Sequence, residues 1–249
     1  MRASFIIKWH TRRIDNLMQM LRLLELWHLS TIQDCELILL CHDSCSDIDT
    51  KFAVTRCFNL NLPEMMAAKQ TNFGVTQAQC ERIILLDSDR ILPSGYFDKV
   101  IDQMCDNIMI STSNMVKLLD YRIDQEIING TYFSSEERRT TNEIGTRCIW
   151  SGNVIFNKSD YQRAGSMDEK YIGYGWEDND MGLTMEKAGV VPILRNELEI
   201  HLYHEPFTYG SKDQKKLFVQ NGLYFCRKWG IKPYPEILTK EMKQYAKII

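Results

Sequence analysis

Apolar residues along the chain fall into two rhythms. Nearly unbroken runs at residues 3–8, 36–41 (ELILLC) and 82–86 (RIILL) predict strands buried on both faces. Between the first two, Ile14, Leu17, Leu21 and Leu24 recur at helical spacing, so 14–28 is expected to be an amphipathic helix. Residues 64–79 predict a second helix, against the tendency of Gly74. Pro93 stands where a third would begin, with Phe97, Val100, Ile101 and Met104 as its apolar face. Strand character returns at 107–113, 148–156 and 198–203, and a further helix is expected near 213–229. Met181, Met185 and Ala188 share one face of a helix that Gly189 would cap. Alternating strands and helices predict an α/β fold: a mixed, mostly parallel sheet flanked by helices, with ligands at the carboxyl ends of its strands. Residues 117–147 break the rhythm. They are polar, contain Arg138-Arg139, and predict an irregular segment over a cleft.

Length and composition narrow the picture. With 249 residues, 44% apolar, the chain is expected to form one large domain, residues 1–249. A net charge of -3 and a pI near 6.0 argue against a nucleic-acid partner. The start, MRASFIIKWHTRR, has too short an apolar run before Lys8 for a signal or anchor, so a cytoplasmic protein with free thiols at its eight cysteines is expected. Lys240, Lys243 and Lys247 leave peripheral contact with an anionic membrane open.

Three constellations carry chemistry. Asp87-Ser88-Asp89 directly follows a buried strand, and two carboxylates at that spacing can converge on a hard cation bridging phosphate oxygens. Glycines and aromatics in Gly173-Tyr174-Gly175-Trp176 lead into Glu177 and Asp178 at a helix N-terminus, which favours the ionised carboxylate of a proton acceptor. Tyr174 and Trp176 offer flat faces on which sugar rings stack. His201 and His204 follow in a strand-like run, and imidazoles joined to oxygen ligands favour Mn²⁺ over Mg²⁺.

In this order the three elements resemble the GT-A glycosyltransferases, of the family 2 type and the galactosyltransferase C-terminal-domain type. Residues 83–89 match the D-x-D strand. Lys69-Gln-Thr-Asn72-Phe-Gly74 is similar to the Arg-Asn-x-Gly segment before it, without the arginine. Ser151-Gly152-Asn153 resembles the Gly-Gly-Asn strand, residues 165–171 the Gly-Gly-Phe-Asp-Glu segment, and residues 173–178 the Gly-Trp-Gly-Gly-Glu-Asp motif, with Trp176 in place of a glycine.

The resemblance implies a nucleotide-binding half at 1–113, an acceptor half at 114–205 and a helical tail at 206–249. It implies a UDP-sugar donor held by His10, Thr11, Asp43, Lys69, Asn72, Asp87, Ser88, Gly152 and Asn153. Mn²⁺ (or Mg²⁺) would sit on Asp89, His204 and His201. Asp178 would be the base and Glu177 its partner, with Tyr174 and Trp176 facing a glycan or glycolipid acceptor. Asp178, where retaining relatives carry Asn, favours inversion; a retaining transferase and a sugar nucleotidyltransferase remain alternatives. The latter would normally carry a Gly-rich loop where this chain reads Lys8-Trp-His-Thr-Arg-Arg13.

Overall fold

The computed structural model describes residues 1–10, 13–42, 48–62, 66–117, 152–204 and 212–231. Thr11, Asp43, Ser151, the polar segment beyond Lys117 and the C-terminal lysines lie outside the described residues. The elements are β1 (Ser4–Trp9), α1 (Ile14–Ile32), β2 (Glu36–Cys41), β3 (Val54–Asn59), α2 (Ala67–Gln77), β4 (Arg82–Asp87), β5 (Arg90–Ile91), α3 (Tyr96–Gln103) and β6 (Ile108–Lys117). They continue with β7 (Asn153–Asn157), α4 (Lys158–Ala164), α5 (Glu177–Lys187), β8 (Val191–His201) and α6 (Lys212–Trp229).

Eight strands form one sheet in the order β3-β2-β1-β4-β7-β6-β8-β5. The β1–β2, β1–β4, β2–β3 and β6–β8 pairs are parallel; β4–β7, β6–β7 and β5–β8 are antiparallel. The apolar runs follow from what covers the two faces. Phe5, Ile7, Leu37, Leu39, Ile84 and Leu86 point to one side, against α1 and α3. Ile6, Ile38, Leu40, Ile83 and Leu85 point to the other, beneath α2, α4 and α5. A strand covered on both faces has no polar alternation to show. Gly74 is required by the same packing: a Cβ there would lie 2.7 Å from Ile6 Cγ2 and 2.8 Å from Leu40 Cδ1. The residue that weakens α2 as a helix lets it approach the sheet.

Several expected boundaries shift. α1 runs on to Ile32 through a non-helical His28, whose ring packs on Phe97 and meets the Leu92 carbonyl at 3.3 Å. Pro93 does not start α3; it belongs to a turn in which its carbonyl accepts from the Tyr96 N–H, and the helix begins after left-handed Gly95. β8 begins at Val191, earlier than its apolar end suggests, because its first half is exposed or half-buried. β3, with no fully buried residue, was not legible as a strand. Among the described residues no helix is long and apolar enough to cross a membrane.

Candidate active site

Parallel pairing sets the carboxyl ends of β1 and β4 side by side, with Lys8 opposite Asp87. The chain turns through Ser88 and Asp89 into the two-residue strand β5, which pairs antiparallel with the end of β8, Arg90 opposite His201. The Leu202 N–H closes this join on the Asp89 carbonyl at 2.8 Å. The short pairing carries both histidines to the D-x-D turn. His204 Nε2 lies 3.2 Å and His201 Nε2 3.8 Å from Asp89 Oδ2. The three potential ligand atoms lie within 4.8 Å of one another.

The local chemistry fits a divalent cation. His201 Nδ1 is 2.9 Å from the Leu202 carbonyl, which can only accept, so this nitrogen carries the proton. Nε2 is then the nitrogen left facing Asp89, the orientation a metal-bound imidazole needs. One carboxylate and two imidazoles suit Mn²⁺ better than Mg²⁺.

Asp89 is also the anion of a cationic nest. Arg13 Nη1 lies 3.0 Å from its Oδ2 and Arg90 Nε 3.7 Å from its Oδ1. Burial opposes the charge, but His204, His201, Arg90 and Arg13 together outweigh it and hold the carboxyl well below the usual range. Sequence reasoning passed over both arginines, which look like ordinary charges in polar turns. Arg90 continues inward to Glu199 at 2.6 Å, and Glu199 accepts from Thr112 at 2.8 Å and from Asn153 Nδ2 at 3.2 Å. Gly152 lies over this floor. A Cβ there would fall 3.0 Å from Asp87 Oδ2 and 3.1 Å from Arg90 Nε, so a side chain would have to push these two charged groups aside by a few tenths of an ångström.

The remaining nucleotide-side residues divide. Lys8 Nζ is 3.8 Å from Asp87 Oδ1, Ser88 is buried in the turn, and His10 stacks on His42 with centroids 5.4 Å apart. Lys69 is on the exposed face of α2. Asn72 is spent elsewhere: its Nδ2 donates to the Met167 carbonyl and Glu169 Oε1, both at 2.9 Å, while its Oδ1 accepts from Tyr161 Oη and the Met167 N–H. Those four bonds use the whole amide, which clamps the 165–169 turn and has nothing left for a nucleotide.

The acidic loop is built on unusual backbone. Trp176 has φ +77°, a left-handed conformation costly for a side chain, at the position where the resembling motif has glycine. Packing holds it there, the indole lying 5.8 Å from Phe218 and 5.3 Å from Phe225, centroid to centroid. Trp176 is thereby committed to a satellite core rather than to an open acceptor face. Tyr174, 43% exposed, is the aromatic that faces solvent.

α5 starts directly after Trp176 and presents Glu177 and Asp178 in its first turn. Glu177 is buried, with Oε2 making no hydrogen bond. Burial and then the neighbouring Asp178 charge push its carboxyl up to about 8 from 4.5. In the unfolded chain Glu177 ionises near 4.5, so between roughly 4.5 and 8 the folded state holds the extra proton. Stability is expected to fall as pH rises through this window, by at most about 1.4 kcal/mol per pH unit. Glu177→Gln should flatten that slope in urea unfolding measured from pH 5 to 9; an unchanged slope would contradict the raised carboxyl.

Solved structures share this arrangement of sheet and helices. GalNAc-T7 with UDP, GalNAc and Mn²⁺ superposes with a TM-score of 0.61 at 14% identity, over 90% of this chain and 49% of that one. The mannosyltransferase PcManGT from Pyrobaculum calidifontis, in complex with GDP-Man and Mn²⁺, gives 0.60 at 12%, over 94% and 66%. The chain has a GT-A glycosyltransferase fold. The catalytic domain of Drosophila β1,4-galactosyltransferase 7, complexed with xylobiose, shares this GT-A fold at a TM-score of 0.53 and 12% identity, over 84% and 73%. In sequence, the family described as the N-terminal domain of galactosyltransferase matches residues 133–205, the stretch that holds Gly152, Asn153, the acidic loop and both histidines. No curated protein matches the chain. The GT-A chain here spans about half the length of the GalNAc-T7 chain.

Proposed function

We propose that this protein is a metal-dependent glycosyltransferase that moves a hexose or N-acetylhexosamine from a UDP-sugar to a hydroxyl of a glycan or glycolipid, with inversion. The observation that carries the reading is the convergence of Asp89, His201 and His204 at the carboxyl end of β4 in a GT-A fold. These three would hold Mn²⁺, which supplies positive charge against the departing diphosphate. Similar structures in complex with UDP, GDP-Man and Mn²⁺ support a nucleotide-sugar donor, and one in complex with xylobiose supports a saccharide acceptor.

Asp87 and Ser88 shape the turn against the nucleotide, and Gly152 leaves room for the donor sugar above the Arg90–Glu199 floor. Glu177, protonated near neutral pH, leaves Asp178 as the anion of the pair. Asp178 accepts the proton of the acceptor hydroxyl. The acceptor oxygen bonds to the anomeric carbon as the carbon–oxygen bond to the diphosphate breaks, and UDP leaves with that electron pair.

Calorimetry with a panel of UDP- and GDP-sugars, with and without Mn²⁺, tests the reading. One donor class is expected to bind in the micromolar range only when metal is present. Absence of metal-dependent binding by every nucleotide sugar would overturn it.

A further inference from the structure

Helix α6 has the place of a tail in the chain, yet it grips the acidic loop. A Cβ on Gly173 would lie 2.9 Å from Leu217 Cδ1, and one on Gly175 2.6 Å from Phe218 Cδ2. Both positions also have left-handed backbone, φ +78° and +99°. The glycines of the loop are thus demanded by the helix that lies on them.

Between these contacts and the helix end lies Asn221, buried at 5% exposure. Its Nδ2 donates to the Ile172 carbonyl at 3.0 Å and to the Gly175 carbonyl at 3.2 Å. One amide group therefore ties together both ends of the turn that precedes Trp176, Glu177 and Asp178. Lower down, a separate anchor holds α6 to α5: Lys228 Nζ lies 2.7 Å from Asp180 Oδ2 and 2.9 Å from Asp168 Oδ2, and Trp229 Nε1 lies 2.7 Å from Asp180 Oδ1.

We propose that Asn221 is a positioning residue for the reaction, fixing the 172–175 turn so that Tyr174 and the Glu177–Asp178 pair face the acceptor. The two amide protons on one nitrogen hold both carbonyls, and without them the left-handed turn relaxes. The donor side is independent of this bond, because Asp89, His201 and His204 are set by β5 and β8. The inference rests on the glycosyltransferase reading for its chemistry and on geometry for the coupling.

The test compares Asn221→Ala with Trp229→Phe, which loosens the same helix at its far anchor. Asn221→Ala is expected to lower turnover of the preferred UDP-sugar by roughly a hundredfold while leaving UDP–Mn²⁺ affinity within about twofold, since small misplacement of a reacting group has effects of that size. Trp229→Phe should lower the melting temperature and leave turnover near wild type. Equal effects of the two variants on turnover, or loss of UDP–Mn²⁺ affinity in Asn221→Ala, would make Asn221 a merely structural residue and overturn the proposal. Amide hydrogen exchange over 172–178 supplies a readout independent of activity: it should accelerate in Asn221→Ala and stay unchanged in Trp229→Phe. Unchanged exchange in Asn221→Ala overturns the proposal even if the wild type binds UDP–Mn²⁺. A wild type that binds no nucleotide with metal defeats the functional reading whatever the exchange shows.

Discussion

Asp89→Asn should abolish metal-dependent nucleotide binding and lower turnover by roughly a thousandfold or more. Asp89 is the one carboxylate among the three candidate ligands, and its Oδ2 is the atom that both histidines face. An amide keeps the shape and removes the charge. It would also leave Arg13 and Arg90 facing imidazoles without their shared anion, so the variant is expected to be less stable even without metal. Thermal unfolding with and without Mn²⁺ separates the two effects. A ligand at a hundred times its dissociation constant stabilises a protein by about 2.7 kcal/mol. Wild type should therefore melt higher when Mn²⁺ and UDP are added, and Asp89→Asn should not. A variant still stabilised by Mn²⁺ would move the metal away from this cluster.

What the sequence made legible follows from how much each element repeats its own signal. β1, β2 and β4 bury every or nearly every residue, so their runs announce them. The D-x-D turn was readable because it follows such a run directly. β5 has two residues, too few for any period, yet it seats His201 beside Arg90. Arg13 and Arg90 escaped notice for a related reason, since a charge in a polar turn gives no sign of the carboxylate it will meet. β3 sits at an edge, half-exposed, with Arg56 reaching from it to buried Glu36, so it lacks both alternation and an apolar run.

Resemblance misled in one place and informed in another. Asn72 falls within a motif-like segment, but local geometry spends its amide on the 165–169 turn. Trp176, which departs from the motif, keeps the left-handed backbone that glycine would adopt freely, and its packing against α6 compensates. The dependence of the acidic loop on α6 was hidden in the sequence because the two segments are far apart and neither encodes their contact.

The second large effect is expected at Asp178. Asp178→Asn should bind UDP–Mn²⁺ like wild type and transfer sugar about a thousandfold more slowly, within the range for loss of a general base. Asn is nearly isosteric and hydrogen-bonds readily, so α5 should start at the same place and melting should change little. The proton on the acceptor hydroxyl would then have no carboxylate to receive it. In the wild type Glu177 is no rival base near neutral pH, because burial and the Asp178 charge keep it protonated up to about 8. Removing the Asp178 charge takes away one of the two causes of that shift, so the Glu177 carboxyl should move downward in the variant. Residual transfer by Asp178→Asn is therefore expected to rise with pH as Glu177 ionises, and Glu177→Gln in the same background should erase that rise. If Asp178→Asn retains full turnover, the base lies elsewhere, and a retaining course, which needs no base at this position, becomes the better account of the site.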